Sequence, residues 1–171
     1  MKRVAQMMAV VALGLPLGSG VTISADDSTE VRQIEAVLDD FHAAASEADG
    51  ERYFSHLAPA AVFLGTDASE RWTKEQFRAF AEPYFSQGKG WTYQPRDRHV
   101  SVADGGRTAW FDEALDSASY GECRGSGVLR KHGEAWKIEQ YNLSIPMPNS
   151  LAKEFVAKIR EHGRTTSDKE D

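Results

Sequence analysis

The stretch AWKIEQYNLSIPMPN, residues 135–149, reads as a strand whose two faces exchange character halfway along. Alternate residues of a strand share a face, so a strand that packs against one core keeps one face apolar throughout. One face here begins apolar and becomes polar: Trp136, Ile138, Gln140, Asn142, Ser144. The other begins charged and becomes apolar: Lys137, Glu139, Tyr141, Leu143, Ile145. The exchange marks a change in what the strand packs against.

Two arrangements explain the exchange. In the first, the strand leaves the core at Gln140, so that Asn142 points into a cavity and Tyr141 points outward. In the second, a β-bulge near Glu139 shifts the parity, so that Tyr141 and Leu143 pack inward and the polar residues contact water. We take the first as the working prediction, and the orientation of Tyr141 decides between the two.

The segments before this strand predict an antiparallel meander. Residues 98–115 read as a hairpin with Gly105-Gly106 in the turn, and further turns fall at 118–119 and 132–134. With these turn lengths, one face of the sheet collects a polar row from four strands. The predicted row, in which Glu113 lies between the two arginines, is Arg98, Glu113, Arg124, Ser126, Gln140, Asn142.

The first half of the chain predicts helices. Apolar residues recur at spacings of three and four from Val31 to Ala45, which is typical of one buried helix face. Helices first and strands afterwards indicate an α+β fold, with helices on one face of the sheet. Residues 149–162 predict a final amphipathic helix, and the polar residues 163–171 predict a disordered tail.

The order of these elements resembles the SnoaL-like branch of the nuclear transport factor two-like superfamily. The segments TAWFDEAL (108–115) and RGSGVLRKHGEAWKIEQYNLSIP (124–146) carry the resemblance. It implies that residues 26–148 form a cone, a curved antiparallel sheet wrapped around N-terminal helices. It also implies a cavity at the open end and, usually, a homodimer. Members include isomerases, cyclases and dehydratases, so the fold does not settle the activity.

A polar row beside an apolar floor is typical of a small-molecule site. A carboxylate between two arginines has a lowered pKa, so Glu113 would be a weak general base. An arginine that is free of Glu113 suits a carboxylate or phosphate on a ligand. Tyr53 and His56 share one face of a short helix, and the resemblance places this helix beside the cavity.

Three functions remain open from the sequence. The first is binding of a small organic ligand, anionic if an arginine contacts it. The second is a cofactor-independent isomerase, cyclase or dehydratase in which Glu113 acts with His56 or Tyr53. The third is a structural or interaction domain whose cavity is plugged by side chains. The five histidines show no metal-ligand spacing and no phosphate loop or dinucleotide motif is present, so neither a metal nor a cofactor is expected.

The N-terminus predicts export. Lys2 and Arg3 precede the apolar run MMAVVALGL, and a small residue, Ala25, offers a cleavage point, so residues 1–25 read as a signal peptide. The mature protein is then expected in the periplasm or outside the cell, without membrane contact after cleavage. The chain has 20 basic and 26 acidic residues and no basic cluster, which argues against nucleic-acid binding. Its single cysteine, Cys123, is expected to be buried.

Overall fold

The computed structural model describes residues 25–167, with side chains described for residues 29–163. The predicted signal peptide lies outside the described residues except for Ala25. The helices are α1 (Ala25–Ser46), α2 (Gly50–Ser55), α3 (Lys74–Phe85) and α4 (Ala152–Ser167), the last preceded by a short 3₁₀ turn (Asn149–Leu151). The strands are β1 (Leu57–Leu64), β2 (Arg71–Thr73), β3 (Gln94–Val102), β4 (Thr108–Ser117), β5 (Gly121–His132) and β6 (Ala135–Ser144).

The six strands form one curved sheet in the order β2-β1-β6-β5-β4-β3. Every neighbouring pair is antiparallel except β1 and β6, which run parallel. Helix α1 packs against β3 and β6, and α3 packs against β1. The predicted α+β cone around N-terminal helices is confirmed, with one correction: the sheet is mixed rather than wholly antiparallel.

The buried face of α1 follows the predicted periodicity. Ile34, Leu38, Phe41 and Ala45 are each at most 2% exposed. The next long helix, α3, begins at a capping box in which the Thr73 hydroxyl accepts a hydrogen bond from the backbone N–H of Gln76. These local signals place the helices that line the interior of the cone.

The hairpin between β3 and β4 has the predicted register. Val100 lies opposite Phe111, and Val102 lies opposite Ala109. The glycines of the turn, Gly105 and Gly106, both adopt positive φ angles that other residues rarely take. Glycine at these two positions therefore allows the tight turn that sets the pairing of β3 with β4 next to it.

The predicted register of β5 is wrong by one residue. Ser117 pairs with Gly121 across a three-residue turn, where the sequence predicts a two-residue turn. Glu113 consequently lies opposite Gly125 instead of Arg124. Because side chains alternate between the faces, a slip of one residue turns Arg124 and its face-mate Ser126 to the outside of the sheet.

A β-bulge in β6 explains the exchange of faces. Ile138 pairs with Leu129 and Gln140 pairs with the preceding residue of β5, so Glu139 is an extra residue in the ladder. After the bulge, Tyr141 and Leu143 point inward, at 2% and 8% exposure. The second arrangement is correct, and the working prediction that Gln140 and Asn142 point inward is wrong.

The last helix is longer than the sequence predicts. It continues to Ser167, five residues into the segment predicted as a disordered tail, and residues 168–171 lie outside the described part. The apolar residues Leu151, Phe155 and Ile159 share one face of this segment and are exposed. Among the described helices, none is both long enough and apolar enough to cross a membrane.

Candidate functional site

A cavity of about 260 Å³ opens at the wide end of the cone. Aromatic side chains from helices, strands and loops make most of its wall, and these are Phe41, Tyr53, Phe63, Trp72, Phe77, Phe80, Tyr84, Trp91, Tyr93, Tyr120 and Tyr141. The cavity is open rather than plugged. A concave, mainly apolar site of this kind is the usual form of a small-molecule site.

Five of these rings form a nearly parallel stack across the cavity wall. Phe80 stacks on Trp72, Trp72 on Phe77 and Phe77 on Phe63, with ring centroids 3.9–5.4 Å apart in these pairs. Tyr141 continues the stack against Phe63, at 5.5 Å and an interplanar angle of 8°. A wall made largely of aromatic rings offers apolar surface on which a flat ligand can stack or make edge contacts.

A buried carboxylate lies behind the floor of the cavity. Glu113 is only 1% exposed. Its Oε1 lies 2.7 Å from Nε2 of His42 and accepts a hydrogen bond from the hydroxyl of Tyr141 at 3.2 Å. Its Oε2 accepts from Nε of Arg98 at 2.7 Å. Donors from α1, β3 and β6 therefore converge on one carboxylate.

These partners keep Glu113 ionised. Burial alone would raise the pKa of the carboxyl group, but the hydrogen bonds and charges of His42 and Arg98 outweigh it, and the pKa lies below its ordinary value. An ionised carboxylate only accepts hydrogen bonds, so Nε2 of His42 must carry a proton. In the neutral ring, Nδ1 is then the unprotonated nitrogen. Glu113 thereby fixes the tautomer of His42.

His42 lies between the aromatic cavity and a second cleft. It lines both, and the second cleft, of about 380 Å³, is bounded by α1 and residues 92–95. Asp39, which also lines this cleft, accepts a hydrogen bond from Arg98 at 2.7 Å. The imidazole therefore borders both the aromatic cavity and a more open cleft.

Gly125 makes room for the contact between Tyr141 and Glu113. A Cβ atom at this position would lie 2.3 Å from the hydroxyl oxygen of Tyr141 and 2.8 Å from Oε1 of Glu113. No side chain fits there without displacing one of the two groups. Gly125 is therefore required for the contact between Tyr141 and Glu113.

A family profile for the SnoaL-like domain matches residues 34–148. The chain belongs to the SnoaL-like family. The predicted membership is confirmed by this match, which covers most of α1, the helices α2 and α3, the whole sheet and all three partners of Glu113. No functionally curated protein matches the chain.

Solved structures support the same fold for this SnoaL-like chain. An NTF2-like candidate dehydratase from Streptomyces avermitilis is 17% identical with a TM-score of 0.60, over 71% of this chain and 99% of that one. A candidate scytalone dehydratase from Novosphingobium aromaticivorans is 11% identical with a TM-score of 0.59, over 71% and 87%. A cystatin-like domain of unknown function from Nostoc punctiforme is 18% identical with a TM-score of 0.61, over 86% and 95%. At these identities the likeness shows the fold alone.

Only two residues of the predicted polar row contact each other in this SnoaL-like domain. Arg98 donates a hydrogen bond to Glu113, next to which the sequence predicts it. The structure places the other four residues on the outer face of the sheet, away from the cavity, because of the slip in β5 and the bulge in β6: Arg124, Ser126, Gln140, Asn142.

The two site residues predicted on the short helix α2 lie in different surroundings, and only Tyr53 lines the cavity. Tyr53 lines the aromatic cavity and stacks on Phe41, with ring centroids 4.3 Å apart. Burial raises the pKa of its phenol well above the ordinary value, so it stays protonated. His56 instead lies at the end of α2 with Nε2 2.6 Å from Oδ2 of Asp40, and it is not among the residues that line the cavity. The structure therefore does not place His56 beside Glu113, with which the sequence predicted it to act.

His42 is the site residue that sequence reasoning missed. It lies four residues after Leu38, on the same helix face. The adjacent Phe41 accounts for the apolar periodicity at this point, so the pattern gives no reason to expect that His42 is buried too. The aromatic wall is assembled from residues far apart in the sequence, among them Trp72, Tyr84, Trp91 and Tyr93. Within residues 25–167, no group of three or more potential ligands is placed to hold a metal ion.

Substitution of Glu113 tests how much its buried ion pair and hydrogen bonds contribute to the free energy of unfolding. Glu113→Gln removes the buried counter-charge of Arg98 and leaves it only the exposed carboxylate of Asp39, so we expect the free energy of unfolding at pH 7 to fall by about 3 kcal/mol. Because the folded state lowers the pKa of Glu113, wild-type stability should decline as the pH falls below the ordinary value of 4.5, and the variant should decline less.

Urea unfolding between pH 7 and pH 3 measures both effects. Glu122→Gln is the matched control, since Glu122 pairs with Arg96 on the exposed surface and should contribute less than about 1 kcal/mol. If the free energy of unfolding fell equally with pH in wild type and in Glu113→Gln, the lowered pKa of Glu113 would be contradicted.

Proposed function

We propose that this SnoaL-like domain binds a small, planar, largely apolar organic molecule in the aromatic cavity. The parallel ring stack around an open cavity of about 260 Å³ is the observation that carries the proposal. The volume is near the lower end of the range for ligand sites, about 300 Å³, so the ligand is small, of one or two fused rings. Offset or edge contacts with the wall add about 0.5–1.5 kcal/mol for each aromatic pair beyond area burial.

The proposal does not include an anionic ligand. That expectation rested on Arg98 and Arg124 facing the cavity. Arg98 is engaged by Glu113 and Asp39, and Arg124 is exposed on the outer face of the sheet. Neither lines the aromatic cavity. The charge that would attract an anion is therefore absent from the cavity wall.

Binding of 2-naphthol, a neutral two-ring probe, tests the proposal by calorimetry and by tryptophan fluorescence. We expect saturable binding to one site, with a fluorescence change from Trp72 and Trp91 in the wall. Ala45→Phe fills the cavity from α1 and should weaken binding at least about tenfold.

Ala114→Phe is the matched control because it adds the same ring on the other face of β4. Binding that is equal in wild type and Ala45→Phe would contradict the proposal. Absence of binding in wild type would favour a structural or interaction domain.

A second candidate function is proton transfer on the bound ligand, with His42 as the base. The buried pair of His42 and Glu113 favours it, because the carboxylate holds Nε2 at 2.7 Å and so leaves Nδ1 as the nitrogen that could take a proton from a ligand. Glu113 is then a positioning residue rather than the base itself. The second cleft gives the ring a route for proton exchange with solvent. Structural relatives described as candidate dehydratases would carry out chemistry of this class.

Kemp elimination of 5-nitrobenzisoxazole, a flat substrate, tests for this base. Nδ1 of His42 would take the proton from C3, the N–O bond would break as the nitrile forms, and the phenolate would leave with its charge balanced by the imidazolium. We expect His42→Gln, which still can hydrogen bond to Glu113, to slow the reaction by about 100-fold.

His56→Gln is the matched control, since His56 pairs with Asp40 outside the cavity wall. It should leave the rate unchanged, and both variants should keep their melting temperatures within a few degrees. A wild-type rate no greater than that of His42→Gln would contradict the proton-transfer proposal.

We further propose that the chain is exported after cleavage behind Ala25. The basic start, the apolar run and the small residues before the cut support it. The intact mass of the protein recovered from the medium or periplasm checks the claim. A mature form that begins at Asp26 is expected, and an uncleaved chain confined to the cytoplasm would contradict it.

We also propose a homodimer through the outer face of the sheet. Trp110 is 51% exposed there and lies opposite Val128 of β5, which in turn lies opposite Gln140 of β6. Ser126 and Asn142 extend this patch with uncharged polar groups, as is common at interfaces. Sedimentation at micromolar concentration should show a dimer and Trp110→Lys should be a monomer; a wild-type monomer would contradict the proposal.

A further inference from the structure

The wall of the aromatic cavity has an uneven charge. Of the described residues that line it, Glu70 is the only one with a carboxylate, and none is a lysine or an arginine. The one imidazole among them, that of His42, is already paired with Glu113. A site with one carboxylate and no cationic side chain attracts positive charge and repels anions.

The carboxylate of Glu70 is held at the rim. Its Oε2 accepts a hydrogen bond from the backbone N–H of Asp67 at 3.1 Å. The side chain folds over Gly65, where a Cβ atom would lie only 2.2 Å from Oε2. Gly65, Thr66 and Glu70 all line the cavity. The glycine therefore allows the carboxylate to lie against the cavity rim instead of pointing into solvent.

Aromatic side chains at the same rim are exposed. Phe80, Tyr84 and Tyr120 line the cavity and are 44%, 47% and 54% exposed. The face of an aromatic ring carries negative partial charge and attracts cations within about 6 Å of its centre. A rim that combines exposed ring faces with one carboxylate is the arrangement that recognises alkylated ammonium groups.

We propose that the cavity selects ligands in which a tertiary or quaternary ammonium group is attached to a flat apolar body. The inference rests on the proposed binding function and adds its ligand class. The apolar body lies along the ring stack, and the ammonium group lies at the rim between Glu70 and the exposed rings. Alkyl groups on nitrogen suit this rim because they reduce hydration and need no hydrogen-bond acceptors, whereas a primary ammonium is strongly hydrated.

Tyr93 also lines the cavity. Burial is the main cause that raises the pKa of its phenol to about 12, and the charges of Cys123, Tyr120 and Glu70 add to the shift in that order. The chain as a whole has a net charge of −6, which favours the approach of a cation over that of an anion.

Three probes of nearly the same shape separate the effect of charge from that of the flat body. They are benzyltrimethylammonium, its neutral isostere neopentylbenzene and the anion benzylsulfonate. Calorimetry on the wild-type chain should show the cation binding at least about tenfold more tightly than the neutral probe, and the anion more weakly than either. Added salt should weaken binding of the cation alone.

Two variants locate the effect at the rim. Glu70→Gln should weaken binding of the cation about tenfold and leave the neutral probe unchanged. Gly65→Ala should likewise weaken binding of the cation and leave the neutral probe unchanged, because its Cβ atom displaces the carboxylate of Glu70. Glu75→Gln is the matched control, since Glu75 lies in the first turn of α3 and does not line the cavity.

The outcomes distinguish this inference from the proposed function. Equal affinity for the cation and the neutral probe, or an unchanged cation affinity in Glu70→Gln, would overturn the ligand class while leaving the cavity function intact. If neither these probes nor 2-naphthol binds the wild-type chain, the proposed function fails and the inference fails with it.

Discussion

The ionised carboxylate of Glu113 is the constraint on which the rest of the structure depends. A charge that is withdrawn from water must be offset by donors of good geometry, or the fold loses several kcal/mol. Here α1 supplies His42, β3 supplies Arg98 and β6 supplies Tyr141, so the carboxylate ties the first helix to the two halves of the sheet. The requirement for pairing fixes the position of His42, and with it the chemistry available at the floor of the cavity.

The bulge at Glu139 follows from the same constraint. Trp136 and Ile138 pack in the core before the bulge, and an unbroken alternation would then turn Tyr141 outward and leave Glu113 with one donor fewer. One inserted residue exchanges the faces and brings Tyr141 inward. Gly125 on the neighbouring strand gives the phenol room to reach the carboxylate. The exchange of apolar and polar faces in this strand thus reflects its two contacts, with the core before the bulge and with Glu113 after it.

The sequence predicted those parts of the fold that depend on short-range signals. Apolar periodicity located α1, and two glycines with positive φ angles defined the first hairpin, so Arg98 was correctly placed beside Glu113. The turn after Ser117 carries no comparable signal, and an error of one residue there reversed the orientation of Arg124. The bulge could be named as an alternative but not chosen, since both arrangements fit the same alternation. The aromatic wall draws on residues from nearly every element, and only the folded chain brings them together.

The two proposed activities of the cavity reinforce each other. A cationic group at the rim would place positive charge beside the flat body of the ligand, on which the proposed proton transfer would act. Proton removal from this body would create negative charge between the ammonium group and the new imidazolium, where both would stabilise it. Because the cavity wall is mainly apolar, each of these interactions would be stronger than in water. Under these proposals Glu70 at the rim would select charge on the ligand, and Glu113 behind the floor would orient the group that acts on it.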